Sequence, residues 1–177
     1  MTSSAYDLAE CFSGGIWFVN LRFRDAAERD LVAIVGMLAD DQLGQARETS
    51  SEPIDQRYLD ALNDMAAQRG NRLIVAETDG NVVGCFQIVG CFQIIVLPGI
   101  ARHGARRAQV ESVRVERSMR GRGIGRQMLG HAVAIAREDG CELIQLTAHG
   151  SRENAHRFYE SLGFEPTHLG FKMSLTP

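Results

Sequence analysis

The order of strand-like and helix-like stretches, βααβββαβαβ, predicts a mixed α/β (α+β) fold: one central sheet with helices on its faces. Three observations carry this. A β-branched run from Val110 to Val115 feeds a glycine-studded turn, Arg120-Gly121-Arg122-Gly123-Ile124-Gly125, which opens a helix-patterned stretch. Asp79-Gly80 stands between two strand-like runs and is a hairpin signal. The length, 177 residues, suits one domain that buries roughly 70% of its unfolded surface.

In chain order, Val19 to Phe23 alternates and reads as a first strand. Asp25 with Glu28 three positions later has capping-box spacing, and Leu31, Ile34, Val35 and Leu38 continue at helical spacing. Gly44 to Pro53 is polar and reads as a loop. Tyr58, Leu59, Leu62, Met65 and Ala66 mark a second helix that ends near Gly70. Leu73 to Glu77 and Val82 to Leu97 are the hairpin strands, Pro98 to Arg107 is a loop, and Ala108 to Val115 is the strand before the glycine turn. The next helix, Ile124 to Glu138, keeps Ile124, Met128, Ala132 and Ile135 on one side and is closed by Gly140. Leu143 to Leu146 is a strand, Glu153 to Leu162 a short helix, and Leu169 to Leu175 the last expected strand. Residues 1 to 18 read as an N-terminal extension ahead of a single domain, 19 to 177.

One stretch is written twice. Val83-Gly84-Cys85-Phe86-Gln87-Ile88 is followed at once by Val89-Gly90-Cys91-Phe92-Gln93-Ile94, which reads as a tandem duplication. The run of about sixteen strand-like residues far exceeds the usual ~5–6. Six is even, so a slip by one copy is expected to keep every side chain on its original face. The surplus copy is expected to form a bulge or an extended hairpin, or to join another subunit's edge and make a homodimer. A tolerated surface loop is the alternative.

Net charge is −3, so no global basic field argues for nucleic acid. No apolar run reaches the ~20 residues that cross a bilayer. The N-terminus, with Asp7 and Glu10 and no basic residue before its short apolar stretch, lacks the start of a signal peptide. Four cysteines without C-x-x-C spacing read as reduced side chains of a cytoplasmic protein. Five scattered histidines give no metal signature.

A strand that ends in glycines and opens a helix is an anion site. The first N–H groups of a helix have no partner within it, and the dipole adds roughly half a positive charge there. Glycines let a phosphate come close. A Walker A loop needs Lys-Ser/Thr after the last glycine, where Arg126-Gln127 stands. A dinucleotide fingerprint needs G-x-G-x-x-G, and Gly121, Gly123 and Gly125 are spaced G-x-G-x-G. The pattern Arg/Gln-x-x-Gly-x-Gly/Ala is met by Arg120, Gly123 and Gly125. Downstream stand Asn154-Ala155, Phe158-Tyr159 and Gly163-Phe164. With these, the chain resembles the GNAT superfamily of CoA-dependent N-acetyltransferases, most clearly from Gln109 to Glu165 and more weakly back to Leu21.

The resemblance implies a GNAT-like sheet of six to seven strands with about four helices, acetyl-CoA as cosubstrate and no metal. It implies acetyl transfer to a primary amine of a small molecule or peptide by direct attack in a ternary complex. A CoA-binding module without turnover, serving sensing or scaffolding, is the alternative. The pyrophosphate would lie on the backbone of Arg120, Gly121, Arg122, Gly123, Ile124 and Gly125, and pantetheine along the main chain of Val113, Arg114 and Val115. Asn154 would cap its helix, contact CoA, or both. Glu111 is the candidate general base, aided by partial burial or a bridging water because a free carboxyl titrates near ~4.3; an ion pair with Arg107 or Arg114 is its bland role. Glu116 is a poorer base. Tyr159 is the candidate general acid, protonated at neutral pH since a free phenol titrates near ~10; ring packing is its bland role. His149 and His156 read as surface residues, as does His103 in its Arg-rich loop, and Cys141 as no nucleophile.

Overall fold

A computed structural model describes residues 19–40, 45, 47–49, 51–79 and 86–175. The expected extension 1–18 and the first three residues of the repeat, Val83 to Cys85, lie outside them. The sheet has five strands in sequential order: β1 (Arg22–Asp25), β2 (Asn71–Asp79), β3 (Phe86–Leu97), β4 (Arg106–Val115) and β5 (Cys141–Leu146). Pairing is antiparallel from β1 to β4 and parallel between β4 and β5. Among the described residues five helices accompany it: α1 (Leu31–Ala39), α2 (Gln56–Ala67), α3 (Ala101–Gly104), α4 (Ile124–Glu138) and α5 (Glu153–Glu160). The third is a single distorted turn, with Arg102 and His103 at φ 57° and 59°.

The apolar stripe of α4 explains its place. Ile124, Met128, Leu129, Ala132, Ile135 and Ala136 are buried against Ile74, Ala76, Val89, Phe92, Ile94, Ala108 and Val110 on one face of the sheet. Each large side chain there contributes ~1.5–3 kcal/mol by leaving water. On the opposite face Ile34 and Met37 of α1 pack on Val75 and Cys91. His131 of α4 stacks on Phe23 at 4.3 Å and meets Phe92 edge-on at 6.4 Å.

The cap before α1 differs from the expected Asp25–Glu28 box. Asp25 belongs to β1 and binds Arg72 at 2.8 and 2.9 Å. A 3-10 turn, Glu28–Asp30, intervenes, and Asp30 accepts the Ala27 N–H at 2.7 Å. Arg24 then bridges two buried carboxylates, reaching Asp30 at 2.5 and 2.9 Å and Glu77 at 2.6 Å. This ties the start of α1 to β1 and β2.

Three register shifts shape the sheet, one at Arg106/Arg107 between β4 and β5 and two nearer the repeat. Ala76 faces Gly90 while Glu77 faces Ile88, so Val89 is the extra residue of β3. Cys91 faces Arg114 while Gln93 faces Glu111, so β4 holds an extra residue at Ser112–Val113, where Ser112 takes φ 54°. The repeat is thereby located. Its second copy fills the core of β3. Phe86 to Ile88 of the first lengthen the hairpin and pair with Glu77, Thr78 and Asp79 of the same chain. The expected conservation of faces does not hold: Ile94 packs on the α4 side and Ile88 on the α1 side, because the bulge at Val89 adds one residue between them.

The strand count of six to seven is also corrected. Among the described residues there are five, and Leu169 to Leu175 forms none. Its period is that of a strand, but no neighbouring strand lies beside it to complete a ladder.

Candidate active site

The turn between β4 and α4 owes its shape to three glycines with two different reasons. Gly121 and Gly123 both sit at φ 77°, a conformation side chains resist, and Gly123 is the N-cap of α4. Gly125 is there for closeness: a Cβ would stand 3.1 Å from the Phe158 ring of α5. The first bond of α4 runs from the Gln127 N–H to the Gly123 carbonyl. The N–H groups of Ile124 and Gly125 therefore have no helical acceptor and lie at the positive end of the dipole.

The arginines of this turn play different parts. The Arg120 N–H donates to the Arg117 carbonyl at 3.3 Å. Its guanidinium donates to the Val115 carbonyl at 3.0 Å and to Asp40 at 2.8 Å. Arg117 joins the same carboxylate at 2.7 Å. Asp40 closes α1, so the opposite side of the sheet is braced to the glycine turn. Arg122 lies exposed at its tip.

The strand feeding the turn parts from its neighbour. The β4–β5 ladder ends at Val110 opposite Leu146. Beyond the Ser112 bulge, Arg114 and Val115 pair with β3, and among the described residues no strand pairs with their other side. Val113 and Val115 pack toward α4, and Arg114 donates back to the Val113 carbonyl at 2.9 Å.

Glu111 precedes that bulge on the face opposite α4. It accepts from Gln109 at 2.7 Å, and Gln109 accepts from Gln145 at 2.6 Å, so a chain of amides fixes its carboxylate. Beside it, α1, α2 and the sheet enclose a cavity of about 130 Å³, lined chiefly by leucine, isoleucine, valine and methionine, with Gln93 and Ser112 at its polar end. Tyr159 is largely buried between Phe158 and Phe164. Burial holds its phenol above the ordinary value, with Arg114 and Arg152 pulling down and Glu111 pushing up. The Tyr159 phenol thus feels the charge of Glu111.

Asn154 lies one residue inside α5 and accepts from Arg157 at 2.5 Å; the N-cap is Arg152. The expected cap is therefore not formed, because the helix begins before Asn154. The His156 ring bonds the His149 carbonyl at 3.0 Å, and the His149 ring bonds the Ser151 hydroxyl at 2.7 Å. Burial raises the Cys91 thiol to about 12 and Cys141 in the same direction, which keeps both protonated. Among the described residues no cluster of His, Cys, Asp or Glu could hold a metal ion, and no helix is long and apolar enough to cross a membrane.

A glycine turn thus caps α4, and the strand that feeds it splits from its parallel neighbour. The acetyltransferase (GNAT) family pattern matches residues 28–164. The chain belongs to this family. It is an acyltransferase by that membership, and GNAT acetyltransferases use acetyl-CoA. A glucosamine 6-phosphate N-acetyltransferase of Trypanosoma brucei brucei is 29% identical over 159 residues, 89% of this chain and 97% of that protein. An aminoalkylphosphonate N-acetyltransferase of Salmonella typhimurium is 37% identical over 67 residues; that match spans 38% of this chain and under half, 44%, of the relative. The structure of a protein described as a transcriptional regulator from Bacillus halodurans superposes with a TM-score of 0.81 at 41% identity, covering 88% of this chain and all of the other.

Three features escaped the sequence reading. Gln109 stands two residues from Glu111 on the same strand face, so alternation alone could have paired them. Gln145 needed the parallel register. Asp40 needed the packing of α1, and no spacing announced it.

Proposed function

We propose that this chain moves an acetyl group from acetyl-CoA to a primary amine of a small molecule or peptide, by direct attack within a ternary complex. The observation that supports the reading is the end of the β4–β5 ladder at Val110, on the strand that leads into the glycine-capped start of α4, with Glu111 next along β4 and its charge felt by the Tyr159 phenol.

The residues fit the cosubstrate. Outward N–H groups of Ile124 and Gly125 suit a diphosphate, and side chains at Gly121 or Gly123 would strain the turn that presents them. The open edge of Val113 to Val115 suits the amide-bearing pantetheine arm. When bound, acetyl-CoA supplies an activated thioester. Glu111, pinned by Gln109, takes the proton of the incoming amine at a carboxylate oxygen, directly or across a water. Tyr159 holds a proton on its hydroxyl at neutral pH, ready for the leaving sulfur. The apolar cavity beside Glu111 receives the body of the acceptor and excludes water from the amine.

The test supplies acetyl-CoA with polyamines, aminoglycosides, amino acids and peptide N-termini and follows free thiol. Thiol release with at least one amine is expected. Tyr159→Phe should lower turnover on the order of 10²-fold, the scale of lost proton transfer, with cofactor affinity unchanged. Gly123→Val should abolish cofactor binding. Binding without thiol release across the panel would favour a sensing module, a reading favoured by the regulator description of the Bacillus halodurans relative.

A further inference from the structure

The cavity beside Glu111 limits which amines can reach that carboxylate. It measures about 130 Å³ and lies between α1, α2 and the sheet. Leu31, Val35 and Leu38 of α1, Leu62 and Met65 of α2 and Cys91 of β3 wall it. Among the described residues that line it none is charged. Tyr58 adds its ring, while its hydroxyl donates to Glu48 at 2.9 Å and accepts the Thr49 N–H at 3.2 Å. The remaining polar side chains are Gln93, opposite Glu111 in the β3–β4 register, and Ser112, next to Glu111 in the chain.

A helix laid on a sheet buries its apolar stripe. The stripe of α2 is Tyr58, Leu62 and Met65, yet no residue of α2 is buried, and the stripe lines the cavity instead. Packed interiors leave few voids larger than a water molecule, and an apolar cavity of about 150 Å³ admits a guest the size of benzene. The space under α2 therefore suits a body of about six carbons. Its charge surroundings are one-sided. Residues 31–66 hold seven carboxylates and two basic side chains, Arg47 and Arg57. Arg57 is held by Asp55 at 2.6 Å, and neither arginine lines the cavity. Arg114, beside Cys91 in the ladder, donates to the Val113 carbonyl at 2.9 Å and does not line it either. A phosphate on the acceptor would enter an apolar space with no cation to receive it, and a second ammonium would meet no carboxylate there; burying either unpaired is costly.

We propose that the acceptor is a primary monoamine with an uncharged hydrocarbon body of about six carbons, alkyl or aryl, seated between α1 and α2 with its nitrogen at Glu111. This rests on the acetyl-transfer reading and narrows it to one substrate class. The amine enters as an ammonium and gives one proton to Glu111. Its nitrogen then forms the bond to the acetyl carbon, and the carbon–sulfur bond breaks with its electron pair on sulfur. Tyr159 protonates that sulfur, and the second proton of the nitrogen restores the phenol. Selectivity comes from the body: each methylene taken from water into the cavity gains about fourfold, until the space is full. Leu62 and Ala61, both lining residues on α2, set that limit.

The test follows thiol release from acetyl-CoA with straight-chain amines from ethylamine to decylamine, with benzylamine, and with glucosamine 6-phosphate, 2-aminoethylphosphonate and spermidine. kcat/KM should rise about fourfold per methylene to roughly six carbons and fall beyond. The phosphorylated, phosphonate and polycationic amines should lie on the order of 10²-fold below the best monoamine. In Leu62→Ala the optimum should move to amines longer by about three carbons, and in Ala61→Leu to shorter ones. Both residues lie on α2, where nothing is fully buried. A cooperative thermal transition and parental CoA affinity then separate a reshaped cavity from a damaged fold. Turnover fastest with a phosphorylated amine, the phosphonate or spermidine overturns the inference and leaves acetyl transfer standing. So does a length preference that neither variant moves. No thiol release from any amine fails acetyl transfer instead, and saturation-transfer NMR with hexylamine then decides. A hexylamine signal that weakens at least fivefold in Ala61→Leu keeps the cavity as the site of such amines; no signal, or one indifferent to the variant, overturns it.

Discussion

Phe86 and Phe92 hold the same position in two copies of one hexapeptide, yet Phe92 is fully buried under α4 and Phe86 is 49% exposed beneath the Arg22 guanidinium, 5.3 Å from it. Gln93 bonds Asn71 at 2.8 Å within the sheet, while Gln87 faces solvent. Ile94 is in the α4 core and Ile88 leans on α1. Identical local sequence has met two fates, so neither composition nor strand propensity selected the core copy. The copies differ in their neighbours: the second adjoins Ile95 to Leu97, which pair with β4, and β4 leads in turn to the glycine turn and α4. The described residues of the first copy, Phe86 to Ile88, pair with β2 and have no printed pair on β4.

The widest gap between the copies should appear on truncating their aromatic rings. Phe92→Ala removes a buried ring that touches α4 and His131, and should cost about 3–5 kcal/mol. Phe86→Ala loses one partly exposed ring and its cation–π contact, about 0.5–1 kcal/mol. Urea midpoints of the two variants measure both. Equal losses would mean that the copies exchange places in solution.

The glycine of the core copy is closely enclosed. A Cβ on Gly90 would stand 2.6 Å from the Met128 sulfur and 2.9 Å from the Arg114 carbonyl. The sulfur can swing aside; the carbonyl, fixed in β4, cannot. Gly90→Ala should therefore cost about 1–3 kcal/mol. The Arg114 carbonyl lies in the stretch proposed to hold pantetheine, so a weakened cofactor affinity should accompany the loss. An isothermal titration with CoA beside the denaturation curve reads both.

Much of this was legible, and the misses share a cause. The glycine turn, the α4 stripe and the hairpin follow from spacing within one element, which sequence shows directly. The bulge at Val89 is set by how Ala76 and Glu77 meet β3, a relation across strands, and it broke the parity argument that an even repeat invites. Glu111 and Tyr159 were named as candidates through the resemblance to family motifs, not through any spacing of their own. The amides that hold Glu111 come from β4 and β5, and only the parallel register brings Gln145 to Gln109. Leu169 to Leu175 was read as a strand from its own period, which is correct as a pattern. A ladder also needs a neighbour, and no pattern within a segment supplies one.

Acidification tests the join between the copies. Glu77, opposite Ile88 where the first copy ends, is held by Arg24 together with Asp30. Burial alone pushes the Asp30 carboxyl up, but the Arg24 bonds and the Ala27 N–H outweigh it and leave the folded value below the ordinary one. A depressed carboxyl stabilises the fold fully above its unfolded value, about 4, and that contribution is lost as pH falls through the folded value. Stability should therefore decline below about pH 4. In Asp30→Asn, already weaker at pH 7, the part of the decline due to this group should vanish. Urea midpoints across pH 2.5 to 7 give the difference, expected at about 1 kcal/mol or less because Arg24 is partly exposed.

Removing one copy is the sharpest comparison and should have the smallest effect. Deleting residues 83–88 or 89–94 yields the same sequence, so the single remaining copy must choose its slot. If those neighbours decide, it takes the core position beside Ile95, and the hairpin simply shortens. Stability should then stay within about 1 kcal/mol of the parent, a shift of only about 2–4 °C in Tm. CoA affinity should be unchanged, since β4 and the glycine turn are untouched. Were the copy to stay at the tip instead, the core would lack Phe92 and Ile94, and the protein would lose more than truncation of Phe92 alone costs. A calorimetric scan of the deletion variant beside Phe92→Ala therefore decides whether the copy under α4 is chosen by its links to β4 or merely by its place in a longer strand.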